Sequence, residues 1–331
     1  MSTPFFDLPV DERVLSLERH ARKILTEYPI EVLSIECINY EFNLTFKVES
    51  RSAAKYALRI NINSHRTRPN VLAEIAFVKH LCSFSNIHTP TPVPMKNGEF
   101  VISLPHADSG RELTSVLYTW LEGEEMGDEP TSDQLFALGE TMARMHRATL
   151  GFKIPSGSVL PTYSDVLWGE KNLLLDEEVF IDAESREAFK AAFDHLRGAL
   201  DQLYSTGEPQ VIHADLHGWN VMIDGSSISV FDFDDSGIGF PIQDLATAIY
   251  YLDTEEQDAA LKAGYESIAP LPAHTPQLME ILLLQRRLIL MNYLYESTNA
   301  EHRTMIPDYL TETVRRVNKL LSDSSEVVEN V

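Results

Sequence analysis

The 331-residue sequence predicts an α+β protein, with a small antiparallel-sheet lobe first and a larger, mostly helical lobe after it. Three observations carry that expectation. Between residues 31 and 62, the runs "IEVLSIECINY", "FNLTFKVES" and "KYALRININ" are rich in β-branched and aromatic side chains and are divided by polar breaks, as in adjacent antiparallel strands. Beyond about residue 130 the pattern changes to long apolar stripes at helical spacing. One short strand-like hairpin, "VMID" and "SISVFDFD" around Gly225-Ser226-Ser227, interrupts the helices.

The elements follow in order. Residues 10–28 place Val14, Leu15, Leu17, Ile24 and Leu25 at the spacing of an amphipathic helix. The three strands come next, and "NVLAEIAFVKHLCSF", after Pro69 in a first-turn position, reads as a helix. Pro90, Pro92 and Pro94 mark an irregular connector, after which "GEFVISLP" and "RELTSVLYTWLEGE" read as two more strands. "TSDQLFALGETMARMHRATL" opens on a Thr/Ser cap and continues as a helix. "ESREAFKAAFDHLRGALDQLYS" is a second long helix, "PQLMEILLLQRRLILMNYLYES" is apolar enough for the core, and "MIPDYLTETVRRVNKLL" is a last helix before a polar tail. The expected division is a first lobe over residues 1–117 (N-terminal helix, antiparallel sheet, one inserted helix), a hinge over 118–123, and a helical lobe over 124–331 that carries the hairpin.

Composition narrows the class. A hydrophobic content of 44% supports an ordinary core. No apolar run reaches the ~20 residues that span a bilayer, and the N-terminus lacks the basic-then-apolar pattern of a signal peptide. A cytoplasmic protein with no membrane partner is expected. Cys37 and Cys82 lie far apart without metal-type spacing and read as reduced, buried thiols. With 27 Lys+Arg against 50 Asp+Glu, the net charge of −23 disfavours nucleic acid and anionic membranes and can draw cations toward a cleft.

The stretch "VIHADLHGWNVMID", residues 211–224, gathers polar side chains between two apolar runs. His213, Asp215 and His217 alternate, so a strand would line them up as transition-metal ligands; Gly218 argues for a turn, where alternation fails. A polar turn without chemistry is a second reading, although buried polar groups need partners. The third reading is phosphoryl transfer. It requires a carboxylate to accept or orient a hydroxyl proton, and two oxygen ligands for Mg²⁺. Protein kinases supply them as H-R-D-x-x-x-x-N followed by an aspartate on a hairpin. Asp215 and Asn220 have that spacing, and Asp232 follows after one short hairpin. Oxygen-only ligation by Asn220 and Asp232 suits Mg²⁺.

"IHADLHGWNVMID…ISVFDFDDSGIGFPIQDLA" closely resembles the catalytic segment of the aminoglycoside phosphotransferase family, which also includes choline-kinase-like and homoserine-kinase-like enzymes and stress-response kinases. "KYALRI", "EIAFVKHL", "LYTWLEGE" and "LGETMARMHRAT" resemble further pieces of it in the right order, so the likeness touches residues 30–255 or so. The resemblance implies a protein-kinase-like two-lobed fold and ATP- and Mg²⁺-dependent transfer of the γ-phosphoryl group to a hydroxyl of a small molecule. It implies Asp215 as catalytic base, His213 as an orienting residue, and Asn220 and Asp232 as holders of Mg²⁺. Asp234 and His217 are additional candidates, and Asp244 resembles an aspartate that braces the catalytic-loop backbone from the start of a helix. Arg59 stands where kinases place the strand lysine, with Glu74 to pair with it; a guanidinium can hold a carboxylate and a phosphate oxygen together. The loop "CINYEFNLTF" has no glycine, and Asn43 resembles the asparagine that replaces its last part. The backbone of Tyr118, Thr119, Trp120 and Leu121 would face adenine. Two other readings stay open: a protein Ser/Thr kinase of the stress-response type and, because the glycines are missing, a nucleotide-binding pseudokinase. Glu122, Glu124, Glu125, Asp128 and Glu129, at the mouth of such a cleft, would favour a cationic amino alcohol, amino acid or aminated sugar as acceptor.

Overall fold

A computed structural model describes residues 3–297 and 299–329. The elements are α1 (Val10–Leu25), β1 (Val32–Tyr40), β2 (Asn43–Ser50), β3 (Lys55–Asn61), α2 (Arg68–Leu81), β4 (Val101–His106), β5 (Arg111–Thr119), β6 (Glu124–Glu125), α3 (Ser132–Ala148), α4 (Ala183–Thr206), β7 (Gln210–Ile212), β8 (Val221–Asp224), β9 (Ser227–Val230), β10 (Gly237–Gly239), α5 (Pro241–Tyr250), α6 (Glu255–Glu266), α7 (Pro276–Glu296) and α8 (Ala300–Glu329). They form two compact units. The first comprises Met1–Gly127, Gly151–Leu160 and Trp219–Asp234; the second comprises Asp128–Leu150, Pro161–Gly218 and Asp235–Val331.

The first unit is built on an antiparallel sheet of order β1-β2-β3-β5-β4. Leu44, Phe46 and Val48 alternate along β2, and with Leu58 and Ile60 of β3 they bury one sheet face with Leu17, Ile24 and Tyr28. Register then settles the other face: Asn43 pairs with Asn61 and Thr45 with Arg59, so Asn43, Arg59 and Asn61 share it. Before α2, the Thr67 N–H donates to Asn70 Oδ1 at 2.9 Å, which starts the helix. Beyond β5 the chain bends at Gly123, whose φ is +109° and where a Cβ would meet Ile223 O at 2.1 Å. Only glycine fits that bend, and it lets β6 pair with β8 and so complete a small sheet, β6-β8-β9. The hairpin expected from the sequence is present, but its second strand stops at Val230, and Phe233–Asp235 coil into a 3₁₀ turn that buries Phe233.

In the second unit, β7 pairs antiparallel with β10 through Ile212 and Gly237, which delivers the chain into the polar segment. α6 was not foreseen; its apolar residues are too few to make a stripe. It starts at Thr254, whose side chain accepts from the Gln257 N–H, and packs on α3 at two glycines. A Cβ on Gly139 would meet Leu261 O at 2.0 Å, and one on Gly264 would meet Phe136 O at 1.9 Å. α7 is buried as its apolarity predicts, yet it buries Arg286, Arg287 and Asn292 as well. The polar tail expected after residue 321 continues as helix to Glu329. Among the described residues, no helix is long and apolar enough to cross a membrane. Cys37 and Cys82 are free thiols, but both are half-buried rather than buried.

Candidate active site

Residues 213–217 leave β7 as a loop, not a strand. Their shape is set from α5. The Asp244 carboxylate, fully buried in the first turn of that helix, accepts the N–H of His213 at 3.0 Å and of Ala214 at 2.6 Å. Those bonds hold Ala214 at a φ of +69°, a conformation that residues other than glycine rarely adopt. His146 of α3 places Nε2 2.9 Å from Asp244 Oδ2, while its Nδ1 lies 2.9 Å from Tyr265 Oη. A carboxylate only accepts, so Nε2 carries the proton and Nδ1 accepts from the tyrosine.

Asp215, on this braced loop, forms an ion pair through Oδ1 with Arg286 of α7. Its Oδ2 lies 3.4 Å from His217 Nε2. Arg286 Nη2 also donates to Tyr251 Oη at 2.6 Å, and the His217 ring lies 4.4 Å from the Tyr251 ring. Burial works against the charge of Asp215, but the Arg286 guanidinium and then His217 outweigh it and hold the carboxyl below its usual range. Burial likewise opposes the charge of Arg286, and Asp215 and Tyr251 hold it charged. The alternating H-x-D-x-H is therefore not a metal-ligand row. The His213 ring accepts the Asp215 N–H at 3.3 Å, and no group of three or more His, Cys, Asp or Glu among the described residues could hold a metal.

In the first unit, Asn220 and Asp232 come to one end of the β8–β9 hairpin. Val221 pairs with Val230, and the Phe231 N–H donates to Asn220 O at 3.0 Å, so the two residues flank the hairpin's open end. Asn220 is buried; Asp232 is exposed with a φ of +59°. Backbone strain of this kind concentrates at functional positions.

Asp234 joins the polar face of the large sheet. Its Oδ2 accepts from Asn43 Nδ2 at 3.1 Å and Ser64 Oγ at 3.2 Å, and its backbone oxygen accepts from Arg66 Nε at 3.0 Å. Arg59 Nη2 lies 2.5 Å from Glu74 Oε2 and 3.7 Å from Asp234 Oδ1. Burial opposes the Arg59 charge, but Glu74, Tyr118 and Asp234 hold it. The Tyr118 hydroxyl donates to Glu74 Oε1 at 2.7 Å. The N–H groups of Thr119 and Trp120 donate to Thr91 O at 2.9 Å and Lys55 O at 3.2 Å. Leu121 lies past the end of β5. In the acidic stretch, Glu122 pairs with Lys55 at 2.8 Å, while Glu124 and Glu125 form the exposed strand β6.

The polar face is incompletely bonded. Asn43 Oδ1, Arg59 Nε, both amide atoms of Asn61 and Asp234 Oδ1 are buried and make no hydrogen bond among the described residues. Such a set, with an oxygen-only pair at Asn220 and Asp232, fits a hard divalent cation and a polyphosphate. Sequence reasoning missed Arg286, His146, Ser64, Arg66, Asn61 and the Tyr118 hydroxyl. One signal existed for Arg286: the pair Arg286-Arg287 inside an apolar helix, where a charge must find a partner.

Three comparisons bear on identity. A family model described as the phosphotransferase enzyme family matches residues 41–279. The chain is 27% identical over 197 residues to amicoumacin kinase of Bacillus subtilis (strain 168), covering 59% of this chain and 56% of that one. It is 26% identical over 196 residues to hydroxylysine kinase of Bos taurus, covering 53% and 52%. The chain thus spans about half the length of these curated relatives. A solved structure of a microcompartment-associated aminopropanol kinase superposes with a TM-score of 0.76 at 24% identity, covering 92% of this chain and 98% of that one. The fold is that of a kinase.

Proposed function

Because the chain belongs to the phosphotransferase enzyme family, we propose that it transfers the γ-phosphoryl group of ATP to a hydroxyl of a small molecule, with Mg²⁺ as the divalent cation and the cytoplasm as its setting. The observation that supports this best is the hairpin, which brings Asn220 and Asp232 together a short way along the chain from Asp215. Asn220 and Asp232 would hold the cation, which when bound would neutralise charge on the phosphates. Asn43, Arg59 and Asp234 would position the nucleotide, with Glu74 and the Tyr118 hydroxyl holding Arg59 in place. Asp215 accepts or orients the acceptor's proton. As the acceptor oxygen bonds to the γ-phosphorus, the bond from that phosphorus to the β-bridging oxygen breaks and ADP leaves. Positioning and charge neutralisation do most of the work.

Two considerations favour an acceptor that carries an amine. The names of two similar proteins are hydroxylysine kinase and aminopropanol kinase, both for amines bearing a hydroxyl. The net charge of −23 also favours capture of cations. A coupled ADP-release screen over amino alcohols, amino acids, sugars and aminoglycosides tests the reading. We expect acceptor-dependent ADP release, greatest for an amine-bearing alcohol, with a kcat/KM that falls as ionic strength rises at constant Mg²⁺. Nucleotide binding without acceptor-dependent release would make the chain a pseudokinase. Radiolabel passing to protein would make it a protein kinase.

A further inference from the structure

We propose that Arg286 is a positioning residue for phosphoryl transfer, holding Asp215 in one orientation with its charge intact so that Oδ2, the oxygen facing His217, meets the acceptor hydroxyl; the inference rests on the function proposed above. Nothing in the transfer as described requires Arg286 to touch a phosphate. Its contacts point to the loop instead.

The guanidinium cannot readily swing. On one side of it in sequence, Gln285 Nε2 donates to Asp165 O and Val166 O, each at 3.2 Å. On the other, Arg287 Nε donates to Thr313 Oγ1 at 2.9 Å and its Nη2 to Tyr309 O at 3.1 Å. These bonds pin α7 on two sides of the residue between them. The guanidinium carbon then sits 5.8 Å from the Trp168 ring and 5.4 Å from the Tyr251 ring, and Tyr251 Oη accepts from Nη2. Trp168 is brought there at a backbone cost. Its φ is +59°, which a bulky residue seldom adopts, and the Asp165 carboxylate sustains the turn by accepting the N–H of Leu167 at 2.9 Å and of Gly169 at 3.1 Å. Loop, helix and tyrosine together fix one planar fork, and Asp215 Oδ1 is the carboxylate oxygen that it meets.

The charges around the pair have the matching arrangement. Arg286 is buried, so it needs an anion beside it. Asp215 supplies that anion in contact, and Asp235 adds to it from further away. Of the charges that act on Asp215, Arg286 lowers its titration most, ahead of His217 and His213. Without Arg286, the carboxylate would lose the contact that fixes Oδ1 and its largest countercharge. Lysine would restore the charge but not the fork.

The test uses the full chain with R286M, R286K, D215N and the double variant R286M/D215N. Kinetics are measured with the best acceptor from the ADP-release screen, nucleotide affinity by calorimetry, and the Asp215 carboxyl by ¹³C NMR titration, its signal identified by loss in D215N. For R286M we expect kcat to fall about 10²-fold, as for a misplaced reacting group, with the KM for ATP changed by no more than about twofold, since the uniform binding of nucleotide is untouched. R286K should recover part of kcat. Adding R286M to D215N should cost little further, because two residues acting as one unit are not additive. The Asp215 carboxyl should titrate at higher pH in R286M than in the wild type. A wild-type kcat in R286M, an equal further loss in the D215N background, or an unchanged Asp215 titration would each overturn the proposal. If R286M fails to fold, R286K and Y251F carry the same readouts. If the wild type transfers phosphate to no acceptor, the function proposed above fails, and the NMR titration still decides whether Arg286 sets the state of Asp215.

Discussion

Asp244 and Asp234 are both aspartates drawn largely out of water, and they differ in what surrounds them. Asp244 collects two backbone N–H groups and an imidazole N–H, the imidazole being completed in turn by a tyrosine hydroxyl. Asp234 has donors on Oδ2, but Oδ1 makes no hydrogen bond among the described residues, and its neighbours Asn43, Asn61 and Arg59 keep unbonded atoms too. A finished buried network rigidifies what it holds; an unfinished one destabilises the protein until something completes it. The first cluster is therefore scaffold for the loop that carries Asp215. The second has the character of a receiving surface, which is where the proposed function puts phosphate and cation.

The largest expected effect comes from the residue that the scaffold exists to present. Asp215→Asn keeps the shape and loses the charge that accepts or orients the proton. Turnover should fall about 10²–10⁴-fold, while nucleotide affinity, measured by calorimetry, stays near that of the wild type. If nucleotide binding fell in step with turnover, the division of labour between the two clusters would be wrong. Asp244→Ala comes next. It strands the N–H groups of His213 and Ala214 and the His146 ring in a buried setting. At about 1–3 kcal/mol for each buried group left unbonded, relaxed in part by repacking, a loss of about 3 kcal/mol is expected. A urea melt should show a lower midpoint at an unchanged slope. Stability like that of the wild type would mean that the loop keeps its shape without the brace.

What the sequence disclosed follows the same division. The proposed catalytic segment was legible because the chemistry it suggests is local: Asp215, Asn220 and Asp232 sit within one loop and one hairpin, at spacings that phosphoryl transfer would dictate. The sheet was legible because alternation at period two survives wherever one face is buried, as at Leu44, Phe46 and Val48. Arg286 and His146 were not, because each reaches its partner across a long stretch of chain and sits in a helix whose pattern reports only burial. The side-chain role of Tyr118 was hidden for another reason: the residue was valued for its backbone, and only the fold aims its hydroxyl at Glu74. α6 escaped because two glycine contacts, not an apolar stripe, hold it to α3.

On the receiving surface effects should be smaller and should appear in binding. Arg59→Ala removes the cation shared by Glu74 and Asp234, and we expect the KM for ATP to rise about tenfold, roughly 1.4 kcal/mol, with kcat less affected. Arg59→Lys should fall between, since the charge remains and the fork is lost. Steady-state kinetics at saturating acceptor check this. An alanine variant with unchanged ATP kinetics would leave Arg59 a structural ion pair, and the unbonded atoms around it would need another explanation.

The smallest effect separates the two kinds of cluster most directly. Asn61 shares the sheet face of Asn43 and Arg59, and both ends of its amide are buried without a hydrogen bond among the described residues. Leucine has nearly the same shape and no polar atoms to leave unbonded. Asn61→Leu should therefore stabilise the ligand-free protein, by up to about 1 kcal/mol and a degree or two in Tm. If the amide exists to bond a phosphate or a cation-bound water, the same change should weaken nucleotide affinity about fivefold, the worth of roughly 1 kcal/mol of lost hydrogen bonding. Gln210 is the matching amide in the other unit. Its Nε2 donates to His146 O at 2.9 Å and to Thr149 Oγ1 at 2.7 Å, so its bonds are made within the protein. Gln210→Met, again close in shape, should lower Tm and leave nucleotide affinity alone. Opposite signs in Tm from two apolar replacements of amides, Asn61 buried and Gln210 half-buried, are what a receiving surface in one unit and a finished scaffold in the other require. Were Asn61→Leu to lower Tm as Gln210→Met does, with nucleotide affinity unchanged, the face around Asp234 would be scaffold too, and the phosphate-binding role of Asn43 and Arg59 would lose its physical basis.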